Sequence, residues 1–115
     1  MIPKHNRFIG NKPIERVYKT VRPVRTGGFN IRAKKSGIED YRLAVVVSKK
    51  VSKSAVIRNR IRRRIFEHVR KNLSDSPKIS GQEIIITVFE ESLARAKTAD
   101  LADQVEKLFK KAGLK

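Results

Sequence analysis

Leu43-Ala44-Val45-Val46-Val47-Ser48-Lys49-Lys50-Val51-Ser52-Lys53-Ser54-Ala55-Val56-Ile57-Arg58-Asn59-Arg60-Ile61-Arg62-Arg63-Arg64-Ile65 carries the change of period on which the fold turns. Its first part, within Tyr41 to Ser48, is too continuously apolar for a strand with one wet face and predicts a buried strand. From Ser54 to about Leu73 the period becomes helical. Ile57, Ile61, Ile65, Val69 and Leu73 recur every fourth residue as one apolar stripe, and Asp75-Ser76-Pro77 stops the helix. Gln82 to Phe89, containing Ile84-Ile85-Ile86, predicts a second buried strand. A strand, helix and strand in succession predict a parallel pair, for which the general handedness rule expects a right-handed crossover.

Working outward, Phe29, Ile31 and Ala33 alternate with Asn30, Arg32 and Lys34 after the turn residues Gly27-Gly28. Alternation of this kind gives one face to the core and a basic face to solvent. Arg22 to Thr26 adds a short edge strand, and Ser36-Gly37-Ile38-Glu39-Asp40 reads as a hairpin loop to the Tyr41 strand. Ile14, Val17 and Tyr18 are spaced for a short helix over about 13–20, with Pro13 suited to its first turn. At the other end Leu101, Val105, Leu108 and Phe109 share one face of a closing helix, with Thr98 as its cap. The order is α-β-β-β-α-β-α, an α+β two-layer sandwich in one domain, 1–115, with 1–12 as a mobile basic tail. Phe89 and Phe109 are expected in the core.

A chain of 115 residues holds one core rather than two, and an apolar share of 39% in ordered bursts separates it from disordered basic tails. No apolar run approaches the roughly 20 residues of a membrane span, and Met1 to Arg7 lacks the apolar stretch of a secretory signal. The expectation is a soluble, cytoplasmic protein. The absence of cysteine excludes a disulfide framework, a thiolate metal site and a cysteine nucleophile.

Charge dominates everything else. The formal net charge is +17, and residues 1–75 hold 21 Lys or Arg against 5 Asp or Glu, while residues 76–115 hold 7 against 6. Self-repulsion of that size opposes a compact state unless a polyanion is usually bound, and its segregation assigns binding to one part of the chain. On a helical wheel Arg60, Arg63, Arg64, Glu67, Arg70 and Lys71 lie opposite the apolar stripe, whereas Arg58 and Arg62 fall beside it. The latter two are expected where the helix meets an open edge of the sheet. Like charges at i, i+4 cost an isolated helix about 0.2–0.5 kcal/mol per pair, and cations near the helix start oppose its dipole. Bound phosphates would offset both, since guanidinium groups chelate phosphate oxygens in pairs. A merely solvated charged face normally interleaves acids, and Glu67 is the sole one between 53 and 71. Phe8, Tyr18 and Phe29 lie in the charged half, where rings can stack unpaired bases, although an aromatic on an alternating strand is more often core.

The string Val47-Ser48-Lys49-Lys50, then Ala55-Val56-Ile57-Arg58-Asn59-Arg60-Ile61-Arg62-Arg63, resembles the protein subunit of bacterial ribonuclease P. The resemblance runs from Asn6-Arg7-Phe8 to the last helix and is most specific over residues 42–70. It implies a catalytic RNA subunit that removes the 5′ leader of precursor tRNA with Mg2+ held mainly by RNA and substrate. The protein would be an accessory, without catalytic or metal-binding side chains and without an obligatory protein partner. Arg58, Asn59, Arg60, Arg62, Arg63 and Arg64, with Lys49, Lys50 and Lys53, would contact the catalytic RNA. Phe8, Ile14, Tyr18, Phe29, Ile31 and Arg32 would line a leader-binding cleft between the first helix and the sheet. The resemblance also implies a left-handed βαβ crossover and a sandwich like the second domain of a small-subunit ribosomal protein. Ile14 replaces a helix aromatic, Ser52 a glycine, Arg64 an apolar residue and Phe66 an arginine of that pattern.

Two other function classes compete. A small basic ribosomal protein shares the size, charge and architecture. A stand-alone ribonuclease needs an acid–base pair, for which His5 and His68 are the candidates; His68 is expected to be a solvated helix-surface residue, and Glu39-Asp40 a turn rather than a ligand pair.

Overall fold

The computed structural model describes residues 11–38 and 40–115, and the side chains of all but the first five of these. Three helices, α1 (Asn11–Thr20), α2 (Ala55–Asn72) and α3 (Thr98–Lys111), pack on strands β1 (Val24–Thr26), β2 (Phe29–Lys35), β3 (Arg42–Val47) and β4 (Gln82–Val88), and a 3-10 turn spans Glu91–Ala94. The α+β class and the element order are as the periodicities predict. α1 begins two residues before its predicted start, and the expectation of a mobile tail otherwise lies outside the described residues.

The strands run in the order β1-β2-β4-β3, with β4 antiparallel to β2 and parallel to β3. β1 and β2 form a hairpin through Gly27-Gly28, and Gly27 takes φ +59° at the first turn position, where a side chain would be strained. The parallel β3–β4 pair is as expected. The 36–40 loop, however, does not close a hairpin, because β4 lies between β2 and β3. The most apolar strand takes the position where both neighbours and both faces cover it, as Ile84, Ile85 and Ile86, all 0% exposed, require. Ser36 and Asp40 instead both bond to the residue before β4: Ser36 N donates to Gly81 O at 2.9 Å and Gly81 N to Asp40 O at 3.3 Å.

One face of the sheet presents Phe29, Ile31, Leu43, Val45, Val47, Ile84, Ile86 and Val88 to α2, α3 and the 3-10 turn. α2 inserts Ile61, Ile65 and Val69, its C-cap Leu73 adds a fourth buried side chain, and Ile57 is partly buried. At about 1.5–3 kcal/mol per buried side chain, the four exceed several like-charge repulsions of a few tenths each. Core packing therefore holds this helix in place despite its charges. The opposite face is covered in part: Val17 of α1 packs on Ala44 and Ile85, with Tyr18, Val21 and Val46 at the margin. The two-layer arrangement of sheet and α2–α3 thus gains a partial third layer. α3 starts from Lys97 without a side-chain cap, so Thr98 is its first residue rather than its cap.

Candidate nucleic-acid interface

The start of α2 is a tied knot. Ser54 caps the helix by accepting from Ile57 N at 3.3 Å, and Ser52, 5% exposed, accepts from Ser54 N at 3.2 Å. Arg58 turns back so that Nη1 donates to Ser52 O at 2.9 Å. Arg62 donates to Asn59 Oδ1 at 2.7 Å and reaches Val47 O at 3.4 Å, at the end of the edge strand β3. The beside-the-stripe arginines therefore sit at the sheet edge, as the wheel predicts. Burial, then the neighbouring Arg58, lowers the pKa of the Arg62 guanidinium. A bound anion at this edge would relieve that repulsion.

Outward from this edge the cations divide. Arg60 and Arg63 are exposed and have no hydrogen bond or ion pair among the described residues, as do Lys49, Lys50 and Lys53 on the preceding turn. Arg64 is different. Its Nη1 donates to Leu93 O at 2.8 Å and its Nη2 to Ala96 O, so both ends of the guanidinium brace the 3-10 turn against α2. Two of the five guanidinium N–H donors are thus committed to the protein, which sets Arg64 apart from Arg60 and Arg63 among the residues expected to contact RNA. Further along, Glu67 accepts from Arg70 at 2.9 Å, and the guanidinium's hydrogen bonds are the largest cause holding the Glu67 carboxyl below the usual carboxylate range. Phe66, in the place of an arginine, packs against the core.

The α1 side of the sheet forms a second cationic surface. Arg32 lies over the Tyr18 ring, 4.2 Å from its centroid, and the Tyr18 hydroxyl shares a 2.8 Å hydrogen bond with Thr87 Oγ1. Lys34 and Arg42 flank Glu83 in the next row, and Glu83 accepts from Ser36 Oγ. Of the residues expected in the cleft, Tyr18 and Arg32 are brought together here. Phe29 and Ile31 are not: they are 0% and 1% exposed on the opposite, α2–α3 face, so neither can stack a base. Their alternation with Asn30 and Arg32 already implied core, and core is where packing puts them. Phe8 and the Ile14 side chain lie outside the described residues.

Two further expectations change. His68 is not a solvated surface residue; its side chain is 11% exposed and its Nε2 lies 3.0 Å from Glu106 Oε1 on α3. It joins two helices, and the other member of the suggested acid–base pair, His5, lies outside the described residues. Phe89 is not core. It is 42% exposed, and Arg25 sits 4.9 Å from its ring centroid. Strand parity is the signal for it: directly after β4, Phe89 continues the parity of Ile85 and Thr87 rather than that of Ile84, Ile86 and Val88.

An α+β scaffold with a cationic helix edge and a cationic, aromatic sheet face defines a small RNA-binding protein. The Ribonuclease P family model matches residues 2–113. The ribonuclease P protein component of Clostridium botulinum is 34% identical over 111 residues, covering 96% of this chain and 97% of the relative. That of Prochlorococcus marinus is 28% identical over 125 residues, covering 98% of each. A solved Staphylococcus aureus ribonuclease P protein, a mutant with defective mRNA degradation activity, superposes with a TM-score of 0.83 at 27% identity, over 96% of this chain and 90% of that one. The chain belongs to the Ribonuclease P protein family, which sets aside the ribosomal-protein alternative. Among the described residues, no helix is long and apolar enough to cross a membrane.

Proposed function

We propose that the chain is the accessory, non-catalytic subunit of ribonuclease P, assisting a catalytic RNA in removing the 5′ leader of precursor tRNA. The observation that carries this reading is the separation of two cationic surfaces. Arg60, Arg63, Lys49, Lys50 and Lys53 stand free at the helix edge, suited to phosphates of a folded RNA. Arg32 and Tyr18 present a guanidinium and a ring on a different face, suited to an unpaired strand. One body with both surfaces can hold the catalytic RNA and the leader together, which lowers the entropy cost of their encounter.

Magnesium in this reading belongs to the RNA and the substrate. Among the described residues no three His, Asp or Glu side chains converge as metal ligands. The contribution of the chain is to neutralise phosphates, so that the RNA folds and binds its cations at lower concentration. Leader binding is tested by affinity: the protein bound to ribonuclease P RNA should hold precursor tRNA more tightly than mature tRNA. Equal affinities would remove the leader-binding role.

A further inference from the structure

The register of the sheet places two aromatic–guanidinium pairs on its α1 side, one row apart. Arg32 pairs with Ile85, while Arg25, Asn30 and Thr87 form the next row. Tyr18 spans these rows, bonded to Thr87 and covered by Arg32. Phe89, the next residue of the same parity and the first beyond β4, continues the line of that face about 6.8 Å further along the chain. Phe89 N donates to Gly28 O at 2.7 Å, which fixes the backbone of this position although β4 ends at Val88. Arg25, itself exposed on the edge strand, covers the ring as Arg32 covers Tyr18.

Phe89 and Val56 are the large apolar side chains that stand exposed among the described residues. Phe89 lies at the end of the sheet from which β3 leads into α2, since Val88 pairs with Val47 and Arg62 reaches Val47 O. Beneath the rings, Asn30 Oδ1 in the Thr87 row and Arg32 Nε in the Ile85 row are buried without a hydrogen-bond partner among the described residues. Glu90 follows Phe89 directly, its carboxylate close to Gly28 and accepting from Ser92, and repels an anion next to it. The row spacing corresponds to one or two nucleotides of an extended strand.

We infer that Phe89, capped by Arg25, is a second base-stacking station for the single-stranded RNA that Tyr18 and Arg32 engage. The inference deepens the leader-binding reading and rests on it. A leader running along β2 and β4 stacks first at Tyr18 and then at Phe89, toward the helix edge that holds the catalytic RNA. Because every base has a stackable face, the station sets how many leader nucleotides are gripped rather than which ones.

The test uses the full chain, alone with an unstructured single-stranded RNA oligonucleotide and bound to ribonuclease P RNA with precursor or mature tRNA. Phe89→Ala and Phe89→Leu should each weaken binding of the oligonucleotide and of the precursor by about 5- to 150-fold, and Phe89→Trp should restore it. Mature tRNA should bind all variants equally, and the salt dependence should not change, since no charge is removed. An abasic nucleotide at one leader position should reproduce the loss in the unsubstituted protein and add nothing to Phe89→Ala. Thermal unfolding of the variants checks that the loss is not one of folding. Wild-type affinity for the oligonucleotide in Phe89→Leu would overturn the inference, as would a change in self-association with RNA binding intact. If the unsubstituted protein fails to distinguish precursor from mature tRNA, the leader-binding reading falls. The oligonucleotide then still decides the station, retained affinity in Phe89→Ala overturning it and lost affinity supporting it.

Discussion

Arg64→Ala separates a brace from an RNA contact. The substitution removes a charged donor from the carbonyls of Leu93, in the 3-10 turn, and Ala96, just beyond it. Hydrogen bonds from charged groups contribute about 1.5–3 kcal/mol each; two on one partly exposed side chain share their geometry, so about 2–3 kcal/mol in total is expected. A chain of 115 residues should lose roughly 4 °C of Tm per kcal/mol, a fall of about 8–12 °C. Its affinity for ribonuclease P RNA, measured at a temperature where it remains folded, should keep the salt slope of the unsubstituted protein. Arg60→Ala should behave in the opposite way. That side chain has no partner among the described residues, so stability should move by about 0.5 kcal/mol or less. The log–log salt slope should fall by about 0.7–0.9, one phosphate contact. Thermal unfolding followed by circular dichroism, with a salt titration of binding, reads both quantities. An unchanged Tm together with a slope reduced by one charge in Arg64→Ala would refute the brace.

Two smaller predictions follow from the helix ends and the α2–α3 contact. Ser54→Ala removes the cap bond to Ile57 N and should destabilise the protein by about 1 kcal/mol, with Ser54→Asp close to unsubstituted stability; equal losses in both would argue against capping. Burial raises the Glu106 carboxyl, but hydrogen bonds from Lys115 and His68 and their charges outweigh it, so its pKa is lowered on folding. A lowered carboxylate contributes stability that is complete above the usual carboxylate range and is lost as pH falls through the folded value. Glu106→Gln should therefore be less stable than the unsubstituted protein near neutral pH, and the difference should shrink as pH falls through the folded carboxylate's lowered value; a difference independent of pH would contradict this.

Local periodicity carried most of the architecture. The every-fourth-residue spacing from Ile57 to Leu73 matches the structure, whereas Phe29 to Lys34 alternates in face but not in exposure, because α1 packs on the second face and Asn30 is buried. The insertion of β4 between β2 and β3 was not accessible in this way, since strand order depends on which distant segments cover each other. The site divides along the same line. Arg58 and Arg62 could be placed at the sheet edge because their angle on the helix follows from spacing alone. Arg64 could not be assigned, because its angle is outward but its partners are carbonyls some 30 residues away in a turn with no periodic signal. Phe29 and Ile31 show a different failure: residue type suggested stacking, while parity placed them in the core. Phe89 was hidden by its neighbours, since an apolar run reads as buried to its end and the exposed final ring emerges only from counting faces.

The most direct test of the accessory role is cleavage of precursor tRNA by bacterial ribonuclease P RNA across a magnesium titration, with and without this protein. Neutralised phosphates should move the curve to lower magnesium, so that cleavage proceeds where the RNA alone is inactive. Superimposable curves would contradict the account.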